Sequence, residues 1–209
     1  MSTRSYIMLQ DGDVLKAIYC HNDGYLSHNG VILQKAYQDL DKVKKLISLG
    51  DLSVLGENLE PFAGWEKYGW NFGVDNAKKR QLFAQLSEKT QDHLWHEADK
   101  YTSAYWRDRY AKMARFKNNP TWFNNYSKKD FEALTYNIKP GEDAFQTLQR
   151  LIDDDYTNMI KYFYIFKPDS TGKYYWYVFD GETYCLLSKA LKKRKEYHTE
   201  LTRSRKEKE

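Results

Sequence analysis

The chain has 209 residues, a formal net charge of +4 and 16% aromatic residues. A chain of this length holds one domain with an appendage and buries roughly 70% of its unfolded surface, so it needs no disulfide or metal staple to fold. The charge is uneven: residues 189–209 carry nine basic and four acidic groups (net +5), leaving −1 for the first 188, which excludes the whole-surface basic field of a DNA-coating protein.

Tyr6-Ile7-Met8-Leu9, the turn Asp11-Gly12-Asp13 and a return strand from Val14 to Cys20 predict an N-terminal β-hairpin. The return strand carries apolar residues on both faces, as a central strand covered on both sides does. After the Asn22-Asp23-Gly24 turn, Asn29 is placed to cap a helix whose stripe is Ile32, Leu33, Ala36 and Tyr37. Asp41 is expected to cap a second short helix that buries Val43, Leu46 and Ile47 and ends at Gly50.

Residues 57–76 read as an ordered loop packed by its own rings, among them Phe62, Trp65, Tyr68, Trp70 and Phe72. A helix over 77–87 follows, with Leu82, Phe83 and Leu86 inward. Thr102 to Trp106 reads as a strand leading into Arg107-Asp108-Arg109. The stretch 115–126 has little period and breaks at Asn118-Asn119-Pro120. Ser127 is expected to cap a short helix containing Phe131 and Leu134, and a helix over about 142–158 carries Phe145, Leu148, Ile152, Tyr156 and Met159. The strongest β signal is a C-terminal hairpin, 162–166 and 174–179 around Asp169-Ser170-Thr171-Gly172. A last helix is expected from near Glu182, burying Tyr184, Leu187 and Leu191, with a solvated end that is helix or frayed coil.

These elements make an α+β fold: a small antiparallel sheet from the two terminal hairpins, packed against several helices. Residues 1–191 form one domain and 192–209 a basic tail. With only six Val and eight Ile, the core must be built largely of Tyr, Phe and Trp. Cys20 and Cys185 are too few for a disulfide framework and read as small hydrophobes. The opening residues lack the apolar stretch of a secretory signal, and no run approaches the ~20 apolar residues of a membrane span. The expected compartment is a reducing bacterial cytoplasm.

Five groups of residues carry chemistry or its look-alikes. His93 and His96 lie at i, i+3 on one helix face but lack the His-Glu-x-x-His order, so a polar helix face is the competing reading. Cys20-His21 sit next to each other on a strand and so face opposite ways, against a catalytic pair. Arg107 and Arg109, flanked by Tyr105, Trp106 and Tyr110, form either a bidentate clamp for an anion or partner, or an ion-pair network with Asp108. Asp153-Asp154-Asp155 fan out around a helix, which favours a solvated face over a Mg²⁺ site. Lys192, Lys193, Arg194 and Lys195 either contact phosphates or form a solvated face.

Thr3-Arg4-Ser5-Tyr6-Ile7, then Ile18-Tyr19-Cys20-His21-Asn22-Asp23-Gly24-Tyr25, then Leu46 to Leu52, resemble an uncharacterised family of phage and mobile-element proteins. The Ala104-Tyr105-Trp106-Arg107-Asp108-Arg109 run and the Tyr-rich C-terminal hairpin are weaker matches, and the middle of the chain and the tail depart from the pattern. The resemblance implies a small accessory protein of a phage or prophage, acting in the host cytoplasm on host machinery such as antiviral defence. The expectation is therefore a non-enzymatic protein without cofactor or metal. It binds and inhibits or modulates a host protein or protein–nucleic-acid complex, a CRISPR nuclease complex being one such target. Its partner-binding residues are Trp65, Tyr68, Trp70, Tyr105, Trp106, Arg107 and Arg109, with the tail steering nucleic acid. The alternative is a nucleotide-like ligand pocket or small phosphate-acting enzyme, its site near His21, Asp23, Tyr25 and Arg107.

Overall fold

A computed structural model describes residues 3–68, 77–110, 126–152 and 160–206. β1 (Arg4–Asp11) and β2 (Val14–Cys20) form the predicted hairpin in continuous register from Ser5–Cys20 to Asp11–Val14. A wide helical turn (Leu26–Gly30) leads into α1 (Val31–Ala36) and α2 (Leu40–Ser48). β3 (Leu52–Val54) follows, then an excursion of three helices, α3 (Ala63–Tyr68), α4 (Ala77–Ala84) and α5 (Glu88–Ala98), and β4 (Ser103–Ala104). The chain continues through β5 (Leu134–Asn137), α6 (Ala144–Ile152), β6 (Ile160–Pro168), β7 (Tyr174–Phe179), β8 (Tyr184–Leu186) and α7 (Leu187–Lys206).

The predicted α+β class holds, but the small antiparallel sheet is replaced by a wider, mixed one. Eight strands join in the order β4-β3-β2-β1-β6-β7-β8, with β5 also on β2. The two terminal hairpins meet directly: β1 pairs β6 in parallel, from Ser5–Tyr162 to Leu9–Phe166. They run parallel because the chain crosses over through α6 rather than through a tight turn. β2 divides its outer edge, with Cys20 pairing Leu52 in parallel and Val14–Ala17 taking β5 antiparallel.

Alternation along the strands gives the sheet two buried faces. Ile7, Leu9, Ile18, Cys20, Tyr164, Phe166 and Trp176 point to one face, where Leu33, Tyr37, Val43, Leu46, Ile47 and Leu187 of the helical segments cover them. Met8, Leu15, Ala17, Phe163 and Ile165 point to the other, under Ala144 and Leu148 of α6. The aromatic core works because its polar tips find partners: Trp176 Nε1 donates to Tyr37 O at 2.6 Å, Tyr37 Oη to Gly56 O at 2.6 Å, and Tyr164 Oη to Gly24 O at 2.9 Å.

Several local expectations are corrected. Asn29 caps no helix; it is fully buried and ties β1 to β2, its Nδ2 donating to Ser5 Oγ (3.1 Å) and Cys20 Sγ (3.4 Å). Asp39, not Asp41, caps α2 by accepting from Lys42 N at 2.9 Å. The helix expected over 77–87 stops at Ala84, and its Leu82 is exposed rather than inward. Ser127 and Asp130 do form a capping box, but around a single turn (Lys128–Phe131), and Leu134 lies in β5 because β2 offers it a ladder. The last helix begins at Leu187, since Tyr184–Leu186 pair with β7 as a strand. Its solvated end is helical as far as Lys206. Within 57–76, Ala63–Tyr68 is helical. Trp70 and Phe72, residues 115–125, and 153–159 with the Asp153-Asp154-Asp155 run, Tyr156 and Met159 lie outside the described residues.

Among the described residues no helix is long and apolar enough to cross a membrane.

Candidate binding surface

The segment from β4 to β5 gathers five rings into a cluster outside both sheet-face cores. Residues 102–106, expected as a strand, are strand only at Ser103–Ala104; Tyr105–Tyr110 then wind into a wide helical turn. The turn forms because Asp108 is drawn inward, accepting from Ala104 N at 2.8 Å. That fold-back sets Tyr105, Trp106 and Tyr110 against Phe131 at centroid distances of 6.0, 6.3 and 4.4 Å. Tyr126 packs on Phe131 and Tyr110 at 5.8 and 5.3 Å. Phe131 is buried beneath the others, whereas Tyr126 is 48% exposed, and nearby in sequence Leu134 on β5 is 46% exposed.

Arg107 turns away from this surface. Its guanidinium donates to Thr102 O at 2.6 Å, to Leu59 O, and to both oxygens of Asp108 at 2.7 and 2.9 Å. The Asp108 side chain is 4% exposed. Of the two readings of this run, the network with Asp108 is the arrangement present. The Arg109 side chain lies outside the described residues, as does that of Trp65. Tyr68 sits apart from the ridge, edge-on to Phe83 in the helical excursion, where Phe83 also meets Trp95.

The three residues proposed for a ligand pocket divide between two settings. His21 Nδ1 lies 2.8 Å from Tyr19 Oη, and its ring meets those of Tyr19 and Tyr105 edge-on at 5.8 and 6.3 Å. Tyr25 stands edge-on to His28 at 6.0 Å and next to Asp23, whose φ of 56° marks a strained turn, with Arg194 of α7 close enough to lower the phenol pKa. Burial outweighs that effect and raises it.

Asp51 joins His21's surroundings, which sequence reading did not anticipate. Its Oδ1 accepts from Tyr19 N at 2.8 Å and its carbonyl from Tyr105 N at 2.9 Å. Burial pushes its carboxyl up to about 6, against the opposing hydrogen bond from Tyr19. Only the pairing of β2 with β3 places Asp51 beside Tyr19, and a three-residue strand leaves no periodic trace. Cys20 is fully buried, and burial raises its thiol to about 12, which disfavours the thiolate.

On α7, Lys192 and Lys193 are exposed and Arg194 is half-buried. Lys192 stands 4.0 Å from Glu196. The helix carries eight Lys/Arg against two Glu, a net of +6 over 20 residues, which extends about 30 Å. Among the described residues no three His, Cys, Asp or Glu side chains converge as a metal site.

Comparison with known proteins finds no matching family model, no matching curated protein and no matching solved structure.

Proposed function

We propose that the protein acts by binding, with the aromatic ridge of Tyr105, Trp106, Tyr110, Tyr126 and Phe131 as its contact surface. One observation carries this reading: a half-open cluster of rings stands outside both sheet cores, at the edge of the fold, held from beneath by Phe131 and the Arg107–Asp108 network. Rigid rings of this kind supply large contact area at small entropic cost, and Tyr and Trp dominate the energetic centres of interfaces. The resemblance to phage accessory proteins suggests the partner, a host protein or protein–nucleic-acid complex of antiviral defence, with the protein inhibiting or modulating it in the host cytoplasm. The cationic face of α7, including Lys192, Lys193, Arg194 and Lys195, would speed encounter with an anionic or nucleic-acid-bearing partner.

The test uses purified host defence nucleases, CRISPR effector complexes included, in DNA-cleavage assays with and without the protein. Wild type should change cleavage by one of them. Tyr126→Ala with Trp106→Ala should weaken that effect by about 2 kcal/mol, roughly 30-fold in affinity, with the backbone amide shifts of β1 and β6 unchanged. An active wild type whose ridge variants act equally well, or a wild type inert across the panel, would count against the proposal.

A second reading, capture of a nucleotide-like ligand, is favoured by a different observation. A cavity of about 390 Å³ lies against the sheet face that carries Leu9 and Ile18, rimmed by Lys16, Lys44 and Lys128. That volume falls within the range of small-molecule sites.

A further inference from the structure

We infer that this cavity is a binding site for a small organophosphate of nucleoside-monophosphate size, an inference that rests on the second reading and assigns its site and ligand chemistry. The cavity opens where α2, the β1–β2 hairpin, β5 and the capped turn before β5 meet. Its walls divide by chemistry. Leu9, Ile47 and Ala133 give an apolar floor, Ser48 and Thr135 add hydroxyls, and Lys16, Lys44 and Lys128 stand with Asp11 and Glu132 at the charged rim.

The charges on that rim are unequal. Asp11 holds two ammonium groups at once, Lys16 at 3.1 Å on one oxygen and Lys44 at 3.4 Å on the other. One carboxylate serving two lysines leaves a positive charge in excess on that wall, and together they hold the Asp11 carboxyl below its ordinary range. Lys128 is exposed, has no acid partner among the described residues, and opens the turn that the Ser127–Asp130 capping box starts. Three lysines against two acids leave a net +1 around an apolar floor.

A ligand that satisfies both parts has a compact apolar body and a compact anion. Phosphate suits lysines better than a carboxylate does: it carries up to two charges, and ammonium groups bind it as movable point charges without the planar match that a guanidinium gives a carboxylate. The sugar and base then lie over Leu9, Ile47 and Ala133, and Ser48 and Thr135 are within the lining to bond the sugar or phosphate oxygens.

The experiment follows backbone amide shifts of the full chain during titration with AMP, adenosine and inorganic phosphate. AMP should shift the amides of Ser48, Ala133 and Thr135 saturably, with adenosine and phosphate each at least ~10-fold weaker because each satisfies one part only. Lys44→Glu with Lys128→Glu should lower AMP affinity at least ~10-fold while Lys89→Glu, exposed on α5 away from the cavity, does not. Adenosine binding as tightly as AMP, or a double variant that binds AMP as well as wild type, overturns the inference. AMP shifts that map elsewhere, around His21 for example, sink this site but leave the second reading standing. No saturable shift with AMP, GMP, CMP or UMP sinks both.

Discussion

Asp51 and Arg107 are both half-withdrawn charges, and they bear on stability in opposite ways. The Asp51 carboxyl is raised from 3.8 to about 6 by burial. An acid whose pKa is higher folded than unfolded binds its proton more tightly when folded. Its contribution to stability is therefore fully present below about pH 3.8 and is lost as the pH rises through about 6. At about 1.4 kcal/mol per pKa unit, the penalty above pH 6 is on the order of 3 kcal/mol. Asp51→Asn keeps an acceptor for Tyr19 N and removes the charge. It should raise the urea midpoint at pH 8 and leave it nearly unchanged at pH 4; equal effects at both would show that Asp51 is not the titrating group. Arg107→Ala leaves the buried Asp108 carboxylate without its counter-charge and strips donors from Leu59 O and Thr102 O. A loss of about 3 kcal/mol is expected in the same measurement. Stability unchanged by that substitution would restore Arg107 to the contact surface. The sequence named Arg107 and posed both of its roles, but deciding between them needed the carbonyl of Leu59, 48 residues away.

Elements were legible in proportion to their length. β1, β2, β6 and β7 are six to nine residues long, and their apolar runs on either side of Gly-containing turns announced them. α1, α2 and α6 were read from their stripes, and Leu33, Val43, Leu46, Ile47 and Leu148 are all buried as those stripes required. β3, β4, β5 and β8 have two to four residues each, which is at most two periods, and they are strands because neighbours hold out unpaired backbone groups. The rings of the ridge show the same limit. Tyr105 and Trp106 were flagged where they cluster in sequence, whereas Tyr126 and Phe131 join them only through the return to β5. Gly50 is the junction that fixes this return. It closes α2 at φ +70°, and a Cβ there would collide with the carbonyl oxygen of Phe131, which accepts from Asp51 N at 2.8 Å. Gly50→Ala combines a left-handed conformation costing about 1 kcal/mol with that collision. It should destabilise by clearly more than 1 kcal/mol and disturb the Tyr105–Tyr110 ring resonances. A loss no greater than the conformational term would mean that Phe131 can give way. By contrast Leu148→Ala, on the buried side of α6 over the opposite face of the sheet, should cost about 2–5 kcal/mol and leave those ring resonances in place.

At the scale of the molecule, the sheet and the helical excursion between β3 and β4 are joined through a narrow neck. Gly56 and Thr102 clasp each other there: Gly56 N donates to Thr102 Oγ1 at 3.1 Å, Thr102 Oγ1 to Gly56 O at 3.0 Å, and Tyr37 Oη adds its bond to the same carbonyl. Asn58 N donates to Lys100 O at 2.9 Å and Asn58 O accepts from Thr102 N at 2.8 Å, the pattern of a short parallel pairing. Gly56 is required at this crossing, because a Cβ would run into the backbone of Lys100 and Tyr101. The neck therefore closes through bonds made by residues of the sheet domain itself, and both sheet cores are built without Leu82 or Trp95 of the excursion, which are exposed. Among its described residues, the excursion thus adds nothing to either sheet core, and residues 62–97 are expected to be removable. A two-residue turn would not suffice, since parallel segments must be joined end to start, but a flexible linker of about eight residues spans the gap. Shortening the loop also lowers its closure entropy, by about 1 kcal/mol, which offsets part of the lost Phe62–Tyr101 contact. The shortened chain should unfold in one cooperative transition within a few degrees of the parent, with the Trp176 and Tyr164 environments intact by near-ultraviolet dichroism. If binding resides on the ridge, it should also retain its partner. Loss of the cooperative transition would show that the excursion is part of the folding unit, and loss of partner binding from a well-folded shortened chain would move the contact surface to Trp95 and its neighbours.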